Sequence, residues 1–198
     1  MIGRSAMLRG VAVIGLATGL SACSMLGGST PLETFDFSPP AASARAAAGR
    51  QLQVLVPDPI ADKALDGDRI VVRSADNEIA NYAGAQWADR LPRLIQSRLV
   101  ATLDASGRVR AAMRPGLGVA SDRQALLEIR SFEYRSAEKV VVAALALKVM
   151  DDRSGRILAA ADLRGTEPVG ADTAVAVTAA FDRLLARLLA EAVPTITR

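Results

Sequence analysis

Cys23 is the single cysteine of the 198 residues, and the chain contains no histidine. Those two counts decide which chemistry is open. Histidine is the usual general base near neutral pH and the commonest transition-metal ligand. Its absence excludes Ser-His-Asp, Cys-His and zinc chemistry. Carboxylate pairs and a serine–lysine dyad remain, but none of Lys63, Lys139 and Lys148 sits in a nucleophile motif. Asp151 and Asp152 lie beside Arg153 at a strand end and read as solvated turn acids, with Ser154-Gly155 completing the turn. Gly116-Leu-Gly118-Val-Ala-Ser121 imitates the start of a dinucleotide loop, yet the third glycine is missing and a strand follows instead of a helix. No P-loop is present, so ATP hydrolysis linked to this chain belongs to another protein. The expectation is a chain that is not an enzyme, with no catalytic residues, cofactor or metal site.

The chemistry that Cys23 can do is covalent modification, and the residues before it say which kind. Met1–Arg9 carries Arg4 and Arg9 and no acid, and Gly10–Leu20 is an apolar run. That run is too short to span a bilayer, which takes about 20 residues. Small residues Ser21 and Ala22 complete the three-part form of a secretory signal peptide over residues 1–22. The ending Leu20-Ser21-Ala22-Cys23 resembles the bacterial lipobox. In lipoproteins of that kind the cysteine sulfur takes a diacylglycerol, the peptide is cut before it, and the new amine is acylated, commonly with palmitate. One myristoyl chain binds a bilayer only marginally, at about 0.8 kcal/mol per buried CH₂, so three acyl chains amount to a permanent anchor. A non-Asp residue after the cysteine, here Ser24, favours outer-membrane export in enterobacterial lipoproteins. An acylated Cys23 also leaves no thiol for a disulfide.

Removing residues 1–22 takes two of the 24 basic residues and leaves 22 against 21 acidic ones. That near-neutral balance is not the footprint of a nucleic-acid binder. The chain is 51% hydrophobic but only 4% aromatic, so its core must come from Ala, Val, Leu and Ile.

Those residues fall into a lipidated tether and irregular segment over 23–50 and a folded domain over 51–198. Ser24–Pro31 (SMLGGSTP) reads as a flexible linker, reaching about 27 Å when extended. Leu32–Phe37 reads as a short edge strand, and Ser38–Arg50 as a Pro- and Ala-biased excursion. Gln51–Val56 alternates as a half-buried strand, stopped by Pro57 and Pro59. Ala61–Gly67 reads as a polar turn, and Arg69–Arg73 with Glu78–Tyr82 as a hairpin. Trp87, Leu91, Leu94, Ile95, Leu99, Thr102 and Leu103 share one face of a helix within Gln86–Leu103. Pro92 suits its first turn and puts the start near Asp89, and Ser106-Gly107 supplies the stop. Val109–Met113 follows as a strand. Gln124–Arg135 carries a bulge near Ser131-Phe132, and Lys139–Met150 and Arg156–Arg164 continue it as antiparallel strands. Asp172 N-caps a helix to Ala192, whose stripe is Phe181, Leu184, Leu185, Leu188, Leu189 and Ala192, with Pro194 as its end. The order gives an α+β fold: a mainly antiparallel sheet with two amphipathic helices packed on one face.

Taken in order, five segments carry a family resemblance. They are Asp68-Arg69-Ile70-Val71-Val72-Arg73; Ile79-Ala-Asn-Tyr82; Gln86-Trp87-Ala88-Asp89-Arg90-Leu91-Pro92 with Ile95 and Leu99; Leu127-Glu-Ile129-Arg-Ser-Phe132-Glu133; and Asp151-Asp152 with Gly155. From about Gln51 to Val193 the chain resembles the ABC-type transport auxiliary lipoprotein family, the PqiC-like proteins associated with Mce-type transporters. The Ala/Pro segment after Phe37 departs from it. The resemblance implies a noncatalytic, lipid-anchored subunit that docks periplasmic lipid-transport machinery to the outer membrane. Its partners would be an Mce substrate-binding protein, with ATPase and permease as separate chains, the membrane, and further copies in a ring-like homo-oligomer. A different class is a periplasmic carrier holding an acyl chain between sheet and helices. An apolar cavity of ligand size would speak for the carrier, and a filled core with an exposed strand edge for docking.

Overall fold

The alternating apolar runs become strands and the 3.6-residue stripes become helices, in the expected order. The computed structural model describes residues 31–41, 52–74, 78–116 and 118–198. In chain order they form Glu33–Phe35 (β1), Leu52–Leu55 (β2), Ile60–Ala61 (β3), Arg69–Arg73 (β4), Ile79–Trp87 (β5), Leu91–Ala105 (α1), Val109–Met113 (β6), Arg123–Arg135 (β7), Val140–Asp151 (β8), Ile157–Pro168 (β9) and Ala174–Thr197 (α2). Residues 32–198 make one compact unit. Among the described residues no helix is long and apolar enough to cross a membrane.

All nine strands join one sheet organised on β7. One edge of β7 is fully occupied by β8, antiparallel from Arg123 opposite Asp151 to Arg135 opposite Val140. The other edge is shared along its length by three parallel strands. β2 takes Arg123 and Gln124, β3 takes Glu128 and Ile129, and β4 takes Glu133 to Arg135. β5 continues the sheet antiparallel to β4, and β1 closes that side parallel to β5. β6 pairs parallel with β2, and β9 antiparallel with β8. The sheet is therefore mixed: its long pairings are antiparallel and its short ones parallel. The bulge falls at Arg130, which is passed over between the pairs Ile129–Leu145 and Ser131–Ala144. Its effect is to keep Leu127, Ile129, Phe132 and Tyr134 all buried on one face.

α2 lies against β9, β8 and β5, and α1 touches α2 and β6. Phe181 of α2 stacks on Phe132, with centroids 4.5 Å apart, and meets Trp87 edge-on at 5.6 Å. Phe37, just past β1, lies 5.0 Å from Trp87. At Gly165 of β9 a Cβ would stand 2.9 Å from Leu184 Cδ1, so only glycine lets the helix come so close. Buried Gln96 of α1 donates to the Val56 carbonyl at 2.8 Å, and Asp104 accepts from the Ala112 N–H at 2.8 Å. These two bonds fix α1 to the paired strands β2 and β6.

The structure corrects several boundaries. Trp87 is not the head of the first helix but the last residue of β5, where its N–H donates to the Asp68 carbonyl at 2.7 Å. Ala85 and Trp87 are buried in the alternation of a strand, and the helix begins only at Leu91 with Pro92 in its first turn. Ala61, expected to begin a polar turn, instead forms with Ile60 a two-residue strand, because β7 still has an open edge there. The cap of α2 is Thr173, whose side chain accepts from the Ala176 N–H, while Asp172 turns to Tyr82. Pro194 does not end α2. The helix runs past it because Ile196 is fully buried, and Arg123 Nη1 donates to the Ile196 carbonyl at 2.7 Å.

Candidate functional site

Cys23 and the linker after it lie outside the described residues. The acids and lysines with chemical potential are spoken for or scattered. Asp151 accepts both the N–H and the hydroxyl of Ser154, at 2.8 and 2.7 Å. Asp152 accepts from Ser121 Oγ at 2.6 Å and from the Gln124 amide. Those hydrogen bonds, led by Ser154 and Ser121 respectively, hold both carboxyls below the usual range. They stitch the turn after β8 to the start of β7, and no metal-binding cluster occurs among the described residues. Lys63, Lys139 and Lys148 are exposed in a turn, a hairpin and a strand, and none has an ion-pair partner among the described residues. Gly116 and Gly118 have positive φ in the loop that leads into β7, a strand as expected.

Charge is instead concentrated at three junctions. Glu133, with its side chain only 6% exposed, sits between Arg73 at 2.8 Å and Arg135 at 3.3 Å and ties β4 to β7. Glu167 near the end of β9 accepts from Arg183 and Arg187 of α2, at 2.9 and 3.0 Å, and those bonds lower its carboxyl. Tyr82 donates to Asp172 at 3.1 Å. Burial first, then that bond, pushes its hydroxyl up to about 12, so it stays a donor.

Two surfaces are left for recognition. One is the free side of β9, which pairs only with β8 among the described strands and exposes Ile157 and Leu158 by about half. The other is a cleft of about 480 Å³ between α1 and α2, closed at one end by Pro40 and Ala41. Arg98 lines it with 7% of its surface exposed, and its Nε and Nη1 have no hydrogen-bond partner among the described residues. Sequence reasoning missed Arg98. It falls between apolar positions of the α1 stripe, and only the packing of α2 beside it makes it buried.

A family model described as ABC-type transport auxiliary lipoprotein component matches residues 34–193. The chain is 27% identical over 180 residues to the uncharacterized protein bll6063 of Bradyrhizobium diazoefficiens, covering 89% of this chain and 48% of that one. It thus spans about half the length of that curated relative. The crystal structure of XCC0632 from Xanthomonas campestris superposes with a TM-score of 0.65 at 24% identity, over 83% of this chain and 90% of the other. The PelC dodecamer of Paraburkholderia phytofirmans gives 0.51 at 12% identity, over 79% and 95%. Both solved structures share the fold. The match over nearly the whole compact unit decides the family: the chain belongs to the ABC-type transport auxiliary lipoprotein components.

Proposed function

We propose that this chain is a noncatalytic subunit that docks an Mce-type lipid transporter to the outer membrane from its periplasmic face. Triacylated Cys23 is the anchor, and the folded unit is the docking surface. The ATPase, the permease and the Mce substrate-binding protein are separate chains. The observation that carries the reading is the 12-residue β9, whose outer edge is unpaired among the described residues, on a family fold filled by aromatic side chains between sheet and α2. An unpaired strand edge offers a row of N–H and C=O groups to a partner strand, and half-exposed Ile157 and Leu158 add apolar contact. That edge also suits pairing between copies, and the solved PelC relative is a dodecamer. The carrier reading has less support, because Trp87, Phe132, Phe181 and Leu184 occupy the interval between sheet and α2 where an acyl chain would lie.

The test is binding of the lipidated chain to an Mce substrate-binding protein of the same organism, with Ile157→Lys/Leu158→Lys as the variant. Replacing these two half-exposed apolar side chains at the start of β9 by charged ones removes their burial on binding, so the double variant should weaken Kd by about tenfold or more. Undiminished binding would move the docking surface away from β9.

A further inference from the structure

Arg98 is a charged group taken out of water without its full set of partners. Its Nη2 is 3.9 Å from Asp182 Oδ1, beyond hydrogen-bond length, and that oxygen already accepts from the Ser38 N–H at 3.0 Å. Its Nε and Nη1 are buried with no acceptor among the described residues. Leaving a buried charged donor unsatisfied is among the costliest arrangements a fold can hold. The hydroxyls of Thr102 and Ser106 also line the cleft but make no hydrogen bond to Nε or Nη1. Arg108, exposed on the same wall of the cleft, has no ion-pair partner among the described residues. The facing wall is of opposite character: Ala186, Ala190, Val193 and Pro194 of α2. Alanines one turn apart open the groove beside the helix, and its volume of about 480 Å³ is within the range of small-molecule sites.

A basic wall with empty donors opposite an apolar wall is complementary to a molecule with an acidic head and a hydrocarbon tail. We propose that the cleft between α1 and α2 binds an anionic lipid, its carboxylate or phosphate oxygens on Arg98 and Arg108 and its acyl chain along Ala186, Ala190 and Val193. Seating the oxyanion takes a small rotation of the Arg98 side chain that brings the occluded Nε and Nη1 to the cleft, where it supplies the acceptors they lack in the planar fork geometry that favours arginine for such groups. This site rests on the cleft residues alone and stands or falls separately from docking at β9.

The full lipidated chain, reconstituted in phosphatidylcholine nanodiscs, tests it with a diazirine-bearing palmitate as probe. Ultraviolet cross-linking followed by peptide mass spectrometry should place the label on the α2 segment around Ala190. Arg98→Met should lower that labelling by about tenfold or more, the scale of losing a hydrogen bond to a charged group. Ala190→Phe, at an exposed position that keeps Arg98, should block it as well. The methyl ester of the probe, which has no charge, should label as weakly as Arg98→Met. Because Arg98 is incompletely paired, Arg98→Met should melt at or above the wild-type temperature. A lower midpoint would make Arg98 a structural partner of Asp182 and overturn the proposal. Equal labelling by acid and ester, or undiminished labelling of Arg98→Met, would overturn it too. Displacement of the probe by inorganic phosphate at equal concentration would assign the site to a free oxyanion and overturn the lipid.

Discussion

At the scale of single residues, the chain carries one modifiable atom and a few charges that staple elements together. Cys23→Ser should leave an unprocessed or soluble precursor and abolish transporter-linked function without unfolding the domain, since the position precedes the compact unit. Intact-mass spectrometry of membrane-extracted wild type should show a triacylated residue 23. An unmodified thiol on the processed, membrane-bound protein would end that reading. Glu167 gives a pH test. Its carboxyl is lowered from 4.5, first by the Arg183 hydrogen bond and then by Arg187. A lowered folded-state pKa adds stability above the unfolded value and loses it as pH falls through the folded one. Glu167→Gln should therefore be less stable by about 1 kcal/mol at pH 7, with the difference closing below about pH 4. Urea midpoints at pH 7 and pH 3 measure it, and an equal gap at both would assign the effect to packing. The lipidation of Cys23 is a proposal read locally, from the composition and order of the segment before it. Arg98 was not legible, because its burial is made by α2, about 90 residues further on.

At the scale of elements, Trp87 joins three parts of the fold, meeting Phe37, Phe132 and Phe181 from the end of β5. Trp87→Ala should cost about 3–5 kcal/mol, as truncation of a buried aromatic does, and lower the thermal midpoint accordingly. Wild-type stability with lost transport would instead make Trp87 a partner contact. Its element was misread for a physical reason. Trp87 and Leu91 are four apart, as on a helix, but Ala85 and Trp87 are two apart, and the β1 backbone that pairs with β5 as far as Trp87 lies far upstream in sequence. The strands β7, β8 and β9 were legible because hairpins are local and their alternation is long. The parallel joins of β2, β3 and β4 to β7 were not, since nothing in a short window names a partner some 70 residues away.

At the scale of the whole molecule, the proposed anchor and the docking edge work through position. A chain held by residue 23 on a linker of about eight residues stays within tens of ångströms of the bilayer, which raises the effective concentration of β9 for a partner crossing the periplasm. The same chain without its lipid should still bind that partner in solution and yet fail to support transport in cells, even when overproduced. Full rescue by the unanchored form would remove tethering from the mechanism and leave docking intact. The sheet also sets an order of events in time. β1 has its partner at residues 85–87, β2 at 109–113 and 123–124, and β4 at 133–135. Loops of that length must close before their contacts reward them, which makes such topologies slow to fold. As the chain emerges N-terminus first, β1 and β4 can pair with β5 and β2 with β6, but these pieces are joined into one sheet only when β7 follows. Processing enzymes would thus meet Cys23 on an unfolded, accessible segment, with the lipid in place before there is a domain for it to hold.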